Sequence, residues 1–253
     1  TYWKIVRELR KENGELGVIF VNTFISALLF RLGNVKKNIG YNREGRGFLL
    51  DFSPEINYHK HYINRYAFLF NEYIGNKYVY LPELSLRYTG QKTFQFDNSH
   101  KTIALYLGGE NKEFRKYPDE YAVQLLRLLN RQGYNLLLIG DENDNIKHTQ
   151  YAEEARIDHL INLTARTTIE GFINTIANVD LIITIDSSAL HIAAAVKTPF
   201  IALMGLSTSP TSTILPKVPL GRILKIENNL IREEDYIRNI TPDLILKTIS
   251  ELI

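Results

Sequence analysis

Cysteine is absent from the 253 residues of this chain, and methionine occurs once, as Met204. Without a thiol the chain can form neither a disulfide nor a thiolate zinc site nor an iron–sulfur cluster, and a cysteine nucleophile is excluded. There is also no apolar run of about 18 residues, the length that a transmembrane helix needs, and the start of the chain lacks the apolar core of a signal peptide. We therefore expect a cytoplasmic protein.

The chain has little net charge, because 30 Lys and Arg face 28 Asp and Glu, which leaves a formal charge of +2. Proteins that track nucleic-acid phosphates usually carry a concentrated basic excess, so we do not expect nucleic acid as a partner. With 45% hydrophobic residues, the chain is long enough for one large or two medium domains.

From residue 101 onward, short apolar runs alternate with longer amphipathic stretches. Uninterrupted apolar runs predict strands that are buried on both faces, and the long spacers predict crossover helices. The predicted strands are residues 103–107, 136–139, 160–163, 181–185, 200–204 and 223–226. The predicted helices are residues 118–131, 145–155, 168–178, 189–196 and 242–252. This alternation predicts an α/β fold with a parallel sheet.

The first hundred residues are less regular. They predict helices over residues 2–11, 24–32 and 61–73 and a strand over residues 16–21. Residues 86–100 are mostly polar and lack helical periodicity, so we interpret them as a linker between two lobes. The predicted lobes are residues 1–90 and 91–253.

Candidate ligand-binding residues follow the predicted strand 181–185. Ligands of parallel sheets bind at the carboxyl ends of the strands, where helices begin and expose backbone N–H groups. The residues there read Asp-Ser-Ser-Ala-Leu-His from Asp186 to His191. The Ser187 and Ser188 hydroxyls could grip a phosphate, and simple capping of the next helix explains them equally well.

A second candidate loop follows the predicted strand 103–107. Gly108 and Gly109 permit close backbone approach, and three cations precede the helix that begins near residue 118. These cations are Lys112, Arg115 and Lys116. Because cations are unfavourable at a helix N-terminus, the loop favours an anion bound between them and the helix.

Two further loops complete the set. The residues after 204 begin with Gly205 and include the hydroxyl of Ser207, and a surface turn is the alternative interpretation. Residues 141–144 read Asp-Glu-Asn-Asp after Gly140. A carboxylate there, Asp144, could receive ribose hydroxyls, although acids in the first turn of a helix are equally well explained by the helix dipole.

The stretch 181–205, LIITIDSSALHIAAAVKTPFIALMG, resembles the nucleotide-sugar-binding lobe of glycosyltransferase family 9, the heptosyltransferases. That family has an Asp-Ser/Thr-Gly-x-x-His-x-Ala-Ala turn before a Thr-Pro and a strand ending in Gly-Pro-Thr. Residues 162–167 and 115–118 look like its Asn-Leu-x-Gly-Lys-Thr and Lys-Arg-Trp-Pro motifs. Residues 22–29 and 39–50 are similar to its acceptor-lobe segments, so the resemblance covers nearly the whole chain.

The sequence departs from the family pattern at four positions. Ser188 and Ala165 stand where the family usually has glycine, Arg115 where it has lysine, and Leu206 where it has proline. Arginine can still bind phosphate, even bidentately. Ser188 narrows the access of a ligand to the backbone.

The resemblance implies a GT-B fold of two Rossmann-like lobes, one on the acceptor side and one that binds the donor. It implies inverting, metal-independent transfer of a sugar from a nucleotide diphosphate donor, ADP-heptose, to a lipopolysaccharide-core-type glycolipid at the inner membrane surface. No metal and no cofactor besides the donor is expected. The donor-binding residues would be Gly108, Gly109, Arg115, Lys116, Asp144, Asp186, Ser187, Ser188, His191, Gly205 and Ser207. Asp186 would bind sugar hydroxyls or order its turn, and His191 would contact phosphate or be a core histidine.

The catalytic base is not assigned. In the family an aspartate in a Gly-Asp turn follows the first strand, and nothing similar precedes Tyr2 in this chain. We interpret the chain, whose first residue is Thr1, as lacking an N-terminal segment and its first lobe as incomplete. The alternatives are therefore a nucleotide-sugar-binding module without transferase activity and a sugar-nucleotide epimerase.

Overall fold

The computed structural model describes residues 2–79, 84–97, 99–108, 110–206, 215–216, 218–226 and 232–253. They form two compact units, one containing the described residues up to Val79 and the other those from Leu84 onward. Among the described residues, no helix is long and apolar enough to cross a membrane.

The first unit is a small parallel sheet with three helices. In chain order its elements are α1 (Tyr2–Glu12), β1 (Leu16–Ile19), α2 (Phe24–Leu32), β2 (Lys37–Gly40) and α3 (Tyr62–Tyr73). Strands β1 and β2 pair in parallel, with Val18 opposite Ile39. The helices and β1 match the sequence prediction, whereas β2 was not predicted.

Strand β2 has no apolar run, because its sequence is Lys-Asn-Ile-Gly. Its Asn38 is fully buried: Asp51 Oδ2 accepts the backbone N–H at 2.7 Å, Val35 O accepts from the side-chain amide at 3.3 Å, and Oδ1 has no hydrogen-bond partner among the described residues. Long-range hydrogen bonds of this kind leave no local pattern in the sequence.

The second unit has six strands, all parallel, in the order β5-β4-β3-β6-β7-β8. In chain order its elements are β3 (Thr102–Tyr106), α4 (Asp119–Arg131), β4 (Asn135–Leu138), α5 (Asn145–Ala155), β5 (Leu160–Asn162), α6 (Ile169–Ala177), β6 (Leu181–Ile185), α7 (Ser188–Val196), β7 (Phe200–Met204), β8 (Gly221–Lys225) and α8 (Pro242–Ile249). This is the strand order of a Rossmann fold. The predicted α/β fold with two Rossmann-like units and parallel sheets is therefore confirmed.

The core of the second unit lies around β3, β6 and β7, in which every residue is buried. Helices cover both faces of such a sheet, which is why these strands read as continuous apolar runs. Burial of each large aliphatic side chain contributes about 1.5–3 kcal/mol, so the central strands are the most firmly held part of the unit.

Residues 84–97 belong to the second unit, whereas the sequence analysis places a linker over residues 86–100 and a lobe boundary after residue 90. The N–H of Leu86 donates to Ala195 O at 3.1 Å, and the N–H of Gly90 donates to Asn174 Oδ1 at 3.1 Å. The segment forms neither a helix nor a strand, and these two backbone N–H groups donate to α7 and α6 instead.

Candidate functional site

The order of the strands reverses between β3 and β6, which lie side by side in the second sheet. Ligands of open parallel sheets bind outside the carboxyl ends of the strands at such a switch point. Here Gly108 follows β3 with φ +82°, and a Cβ on it would lie 2.7 Å from Cδ1 of Ile185, the last residue of β6. Glycine therefore permits both the left-handed backbone and the close packing of the two strand ends.

The loop after β3 crosses the carboxyl edge of the sheet. It contains a 3₁₀ helix over Glu110–Arg115 and closes where the N–H of Tyr117 donates to Leu107 O at 3.0 Å. On the far side, a Cβ on Gly205, directly after β7, would lie 2.5 Å from the carbonyl oxygen of Phe114. The loop is thus packed against the ends of both β6 and β7.

The turn after β6 caps helix α7. Ser187 has an extended backbone, and its Oγ accepts from the N–H of Ala189 at 3.2 Å and lies 3.0 Å from Thr184 Oγ1. Capping by Ser187, one of the two interpretations of this turn, is confirmed, and Ser188 is the exposed first residue of the helix. Asp186 is half-buried beside them.

His191 is exposed on α7, so the interpretation of it as a core histidine is wrong. It lies one turn after the N-terminus of the helix. Contact with a phosphate stays a prediction.

Lys116 is held by the first turn of α4. Its Nζ lies 2.8 Å from Asp119 Oδ1, and the same carboxylate binds Lys147 Nζ at 3.0 Å and Tyr151 OH at 2.5 Å. Burial acts to raise the pKa of Asp119, but the hydrogen bonds from Lys116, Tyr151 and Lys147 outweigh it and lower the pKa to about 2. The positive charge of Lys116 is therefore already compensated.

Arg115 differs from its two neighbouring cations. It is half-buried, and within the described ranges no group forms an ion pair or hydrogen bond with it. Lys112, by contrast, pairs with Asp141 Oδ2 at 3.2 Å. Of the three cations that the sequence places in this loop, Arg115 is the one whose charge no described residue compensates.

The acidic loop after β4 corrects one predicted site residue. Asp144 is fully buried, and its Oδ2 accepts from the N–H of Asp141 at 3.0 Å while Asp141 Oδ1 accepts from the N–H of Asn143 at 2.8 Å. Asp144 packs on Gly140, where a Cβ would lie 2.8 Å from Oδ2. Because it closes this capping box, Asp144 has no exposed surface to offer to ribose hydroxyls. The exposed acid of the loop without a partner among the described residues is Glu142.

A buried histidine lies behind this loop. His148, on the first turn of α5, is fully buried, and its Nδ1 lies 2.8 Å from Thr164 Oγ1. Burial lowers its pKa to about 4, while the nearby charges of Asp144 and Asp141 act in the opposite direction. His148 is therefore neutral at physiological pH and serves the packing of the loop.

Two cavities lie in the second unit. One of about 290 Å³ adjoins the 3₁₀ helix at Phe114 and Lys116, and its wall includes Arg238. The other, of about 900 Å³, lies at the opposite edge of the sheet, where Thr102 begins β3. There Asp180 Oδ2 accepts from the N–H of Thr102 at 2.8 Å, so this carboxylate of the cavity wall already binds the backbone of the strand. The larger cavity is therefore remote from the switch point.

In the first unit, the carboxyl edge of the sheet is organised by Arg46, whose importance the sequence did not reveal. Its side chain is fully buried and donates to loops after both strands. The acceptors are Tyr41 O at 2.9 Å, Asn22 Oδ1 at 2.9 Å, Ser26 Oγ at 3.0 Å, Thr23 O at 3.3 Å and Val21 O. Burial lowers the pKa of Arg46. These acceptors are all neutral, and the nearby charge of Glu44 acts on the pKa in the opposite direction to burial. Arg46 therefore fixes two loops through neutral acceptors.

Gly109 and Ser207, two of the predicted donor-binding residues, lie outside the described residues. In the part of the chain that is described, no group of three or more His, Asp or Glu side chains is arranged to hold a metal ion. Asp51 and Glu55, the acids nearest to the predicted acceptor segments, each accept a hydrogen bond, from Asn38 and Asn42 respectively.

Comparison with known proteins gives one consistent result. The family model described as glycosyltransferase family 9 (heptosyltransferase) matches residues 2–234. A lipooligosaccharide heptosyltransferase 2 from Haemophilus influenzae is 26% identical over 279 aligned positions, which cover 100% of this chain and 80% of the relative.

Two solved structures share the fold. An E. coli ADP-heptose lipopolysaccharide heptosyltransferase II superposes with a TM-score of 0.84 at 21% identity, over 99% of this chain and 80% of that one. An E. coli heptosyltransferase with ADP-2-deoxy-2-fluoro heptose superposes with a TM-score of 0.73 at 16% identity, over 98% and 77% of the two chains. Since the family model spans nearly all of the sequence and these structures share its α/β architecture, the chain belongs to glycosyltransferase family 9, the heptosyltransferase family.

Proposed function

We propose that this glycosyltransferase moves a heptose from ADP-heptose to a lipopolysaccharide-core-type glycolipid, with inversion at the sugar and without a metal ion. Support for donor and acceptor comes from the names of the relatives, which describe an ADP-heptose enzyme and lipooligosaccharide transfer. Support from the chain itself is the switch point of the second unit, where a cation, a helix N-terminus and a glycine-lined backbone come together.

Arg115 is the observation that carries this proposal. Its half-buried guanidinium has no partner among the described residues and ends the loop that packs on β6 and β7. When the sugar departs, its ring becomes oxocarbenium-like and negative charge builds on the diphosphate. A cation at this place stabilises that charge, and the dipole of α7 adds to the effect.

The remaining donor contacts follow from the loops at the same edge. Gly108 and Gly205 allow the backbone to approach the diphosphate, and Ser188 and His191 contact it from the start of α7. Asp186 binds hydroxyls of the sugar. Each of the three loops or turns that supply these residues follows a strand of the same sheet.

Glu142 takes the place that the sequence assigned to Asp144. In a Rossmann fold the ribose is bound by an acid at the end of the strand next to the phosphate-binding loop. Here that strand is β4, and Glu142 is the exposed acid after it that has no partner among the described residues. Its carboxylate would accept both ribose hydroxyls.

We assign acceptor binding to the first unit and place the enzyme at the cytoplasmic surface of the inner membrane, where a lipid-linked acceptor is anchored. The support is two cations, the exposed Arg43 and the half-buried Lys60, neither of which forms an ion pair with a described residue. They contact aromatic rings: Arg43 lies 5.4 Å from the centre of the Tyr58 ring, and Lys60 Nζ lies 4.7 Å from the centre of the Phe68 ring. Cations of this kind suit an anionic glycolipid.

The proposal is tested with radiolabelled ADP-heptose and a heptose-deficient glycolipid, and with calorimetric titration of ADP. We expect acceptor-dependent transfer by the unmodified chain. Arg115→Ala should weaken ADP binding on the order of tenfold to a hundredfold, because a charge-assisted hydrogen bond contributes about 1.5–3 kcal/mol.

Lys116→Ala is the matched control, since Asp119 already compensates that charge. It should bind ADP within about threefold of the unmodified chain, the effect of a surface ion pair. Equal losses in both variants would contradict the assignment of Arg115. Binding of donor without transfer would indicate a binding module, and consumption of donor without acceptor would indicate an epimerase.

A further inference from the structure

Lys112 lies nearer to the switch point than the sequence suggested. Its Cγ is 3.1 Å from the position that a Cβ on Gly108 would occupy, and Ile185 Cδ1 is 2.7 Å from the same position. The side chain is only 19% exposed, and its Nζ lies 5.8 Å from the centre of the Tyr106 ring. The ammonium group therefore lies beside the ends of β3 and β6.

The ammonium group is restrained by a carboxylate that cannot easily move. Lys112 Nζ lies 3.2 Å from Asp141 Oδ2, and this contact helps to hold the pKa of Asp141 below its usual value against the effect of burial. Asp141 Oδ1 accepts from the N–H of Asn143, and the N–H of Asp141 itself donates to the buried Asp144. Asp141 is thus fixed through both its side chain and its backbone.

The pair contributes little to folding. The Asp141 side chain is 48% exposed, so water screens its ion pair with the less exposed Lys112. The same contact has a larger effect on the affinity for a ligand, because the ammonium group of Lys112 must leave Asp141 before it can bind a diphosphate. Lysine suits such a change of partner, since its flexible side chain can move the ammonium group from Asp141 to the diphosphate.

We propose that Lys112 binds the diphosphate of the donor and that Asp141, by holding Lys112 in the empty site, lowers the affinity for that donor. The inference rests on the proposed function, since it places the diphosphate at the same switch point. It divides the cations of one loop into Arg115, whose charge is available at once, and Lys112, whose charge must be taken from Asp141.

The test is a double-mutant cycle in which the affinity of each variant for ADP is measured. Lys112→Met should weaken ADP binding about tenfold, because one charge-assisted contact is lost. Asp141→Asn keeps an acceptor for the N–H of Asn143 but removes the charge, and it should tighten ADP binding about threefold. In the Lys112→Met background, Asp141→Asn should have no effect, since the residue that it releases is gone.

Two further measurements separate this role from a loss of folding. The ratio of ADP to AMP affinity should fall in Lys112→Met, because a merely unfolded fraction would lower both affinities equally. Lys147→Met is the matched control: it also removes a lysine from an ion pair, with Asp119 at 3.0 Å, but in α5 away from the switch point. Its ADP affinity should equal that of the unmodified chain.

The inference is wrong if Asp141→Asn weakens ADP binding or if Lys112→Met leaves it unchanged. If Arg115→Ala loses affinity while Lys112→Met does not, the donor site stands and only the role of Lys112 fails. If the unmodified chain binds no ADP, the proposed function and this inference fail together.

Discussion

At the scale of single residues, Ala165 has a backbone that alanine disfavours. It adopts φ +60° after β5, where its N–H donates to Gly140 O at 3.1 Å, and the family motif has glycine at this position. The left-handed conformation costs a residue with a Cβ about 1–2 kcal/mol. Replacing alanine by glycine in turn lowers the stability by about 0.4–1 kcal/mol, because glycine gives the unfolded chain more conformational entropy. Ala165→Gly should therefore stabilise the protein by about 0.5 kcal/mol, seen as a small rise in melting temperature.

Ala152→Gly in the interior of α5 is the control for this substitution. Its backbone is helical, so glycine should destabilise it by about 1 kcal/mol. If both variants lowered the melting temperature by the same amount, the left-handed strain at Ala165 would not be the cause.

The sequence predicts the loop to which each site residue belongs, but it does not predict whether the side chain is buried, exposed or paired with another charge. Arg115 and Lys116 are adjacent and of equal charge, and only the fold shows that Asp119 compensates the second. Asp144 and Glu142 lie in the same acidic loop, yet the first is buried against Gly140 and the second is exposed. Burial and pairing depend on neighbours that spacing along the chain does not specify.

At the scale of elements, the contact between β7 and the loop after β3 depends on Gly205. A Cβ there would meet the backbone oxygen of Phe114 at 2.5 Å and Ile237 Cβ at 3.1 Å. Gly205→Ala must displace the 3₁₀ helix that carries Arg115. We expect a loss of about 1–3 kcal/mol of stability from overpacking and a weaker affinity for ADP, measured by chemical denaturation and by titration calorimetry.

Gly171→Ala in α6 is the matched control. Its added Cβ would lie 3.4 Å from Thr168 Oγ1, an ordinary contact, and alanine stabilises a helix relative to glycine by about 0.5–1 kcal/mol. This variant should be slightly more stable and bind ADP normally. A loss of ADP affinity in both variants would show that the effect of Gly205→Ala does not come from the displaced loop.

The elements themselves differ in how readily the sequence predicts them. The central strands of the second sheet are buried at every residue, and hydrophobicity alone locates each strand of that sheet within two residues. Strand β2 lies in a two-stranded sheet and carries the buried polar Asn38, whose backbone N–H donates to the distant Asp51, and no apolar pattern predicts this strand. Residues 86–100 have the pattern of a linker because Leu86 and Gly90, which lie in this range, form their hydrogen bonds with distant helices.

At the scale of the whole molecule, acid should destabilise the protein in two steps. The pKa of His148 is about 4 in the folded protein, below its ordinary value of 6.5, so the unfolded chain takes up this proton first as the pH falls. The contribution of His148 to the stability of the fold is therefore complete above pH 6.5 and decreases as the pH drops toward 4. Asp119, with a folded pKa of about 2, adds a second loss between about pH 3.8 and 2. The first step should amount to on the order of 2 kcal/mol.

The measurement is the melting temperature between pH 8 and 4 for the unmodified chain and for His148→Gln. Glutamine can keep a hydrogen bond to Thr164 but cannot be protonated in this range. The slope between about pH 6.5 and 4 should therefore be shallower in the variant. Parallel pH profiles would mean that His148 does not titrate with folding.

The pairing of β3 with β6 also has a consequence for synthesis of the chain. Ile103 lies opposite Leu181, so one edge of the central strand has no partner until the ribosome has made the whole stretch between them. During that interval β3 can pair with β4, which follows sooner, while its other edge exposes an apolar strand. Nascent chains paused before Leu181 should therefore be the species that chaperones bind and that aggregates, and the donor site should form late in translation.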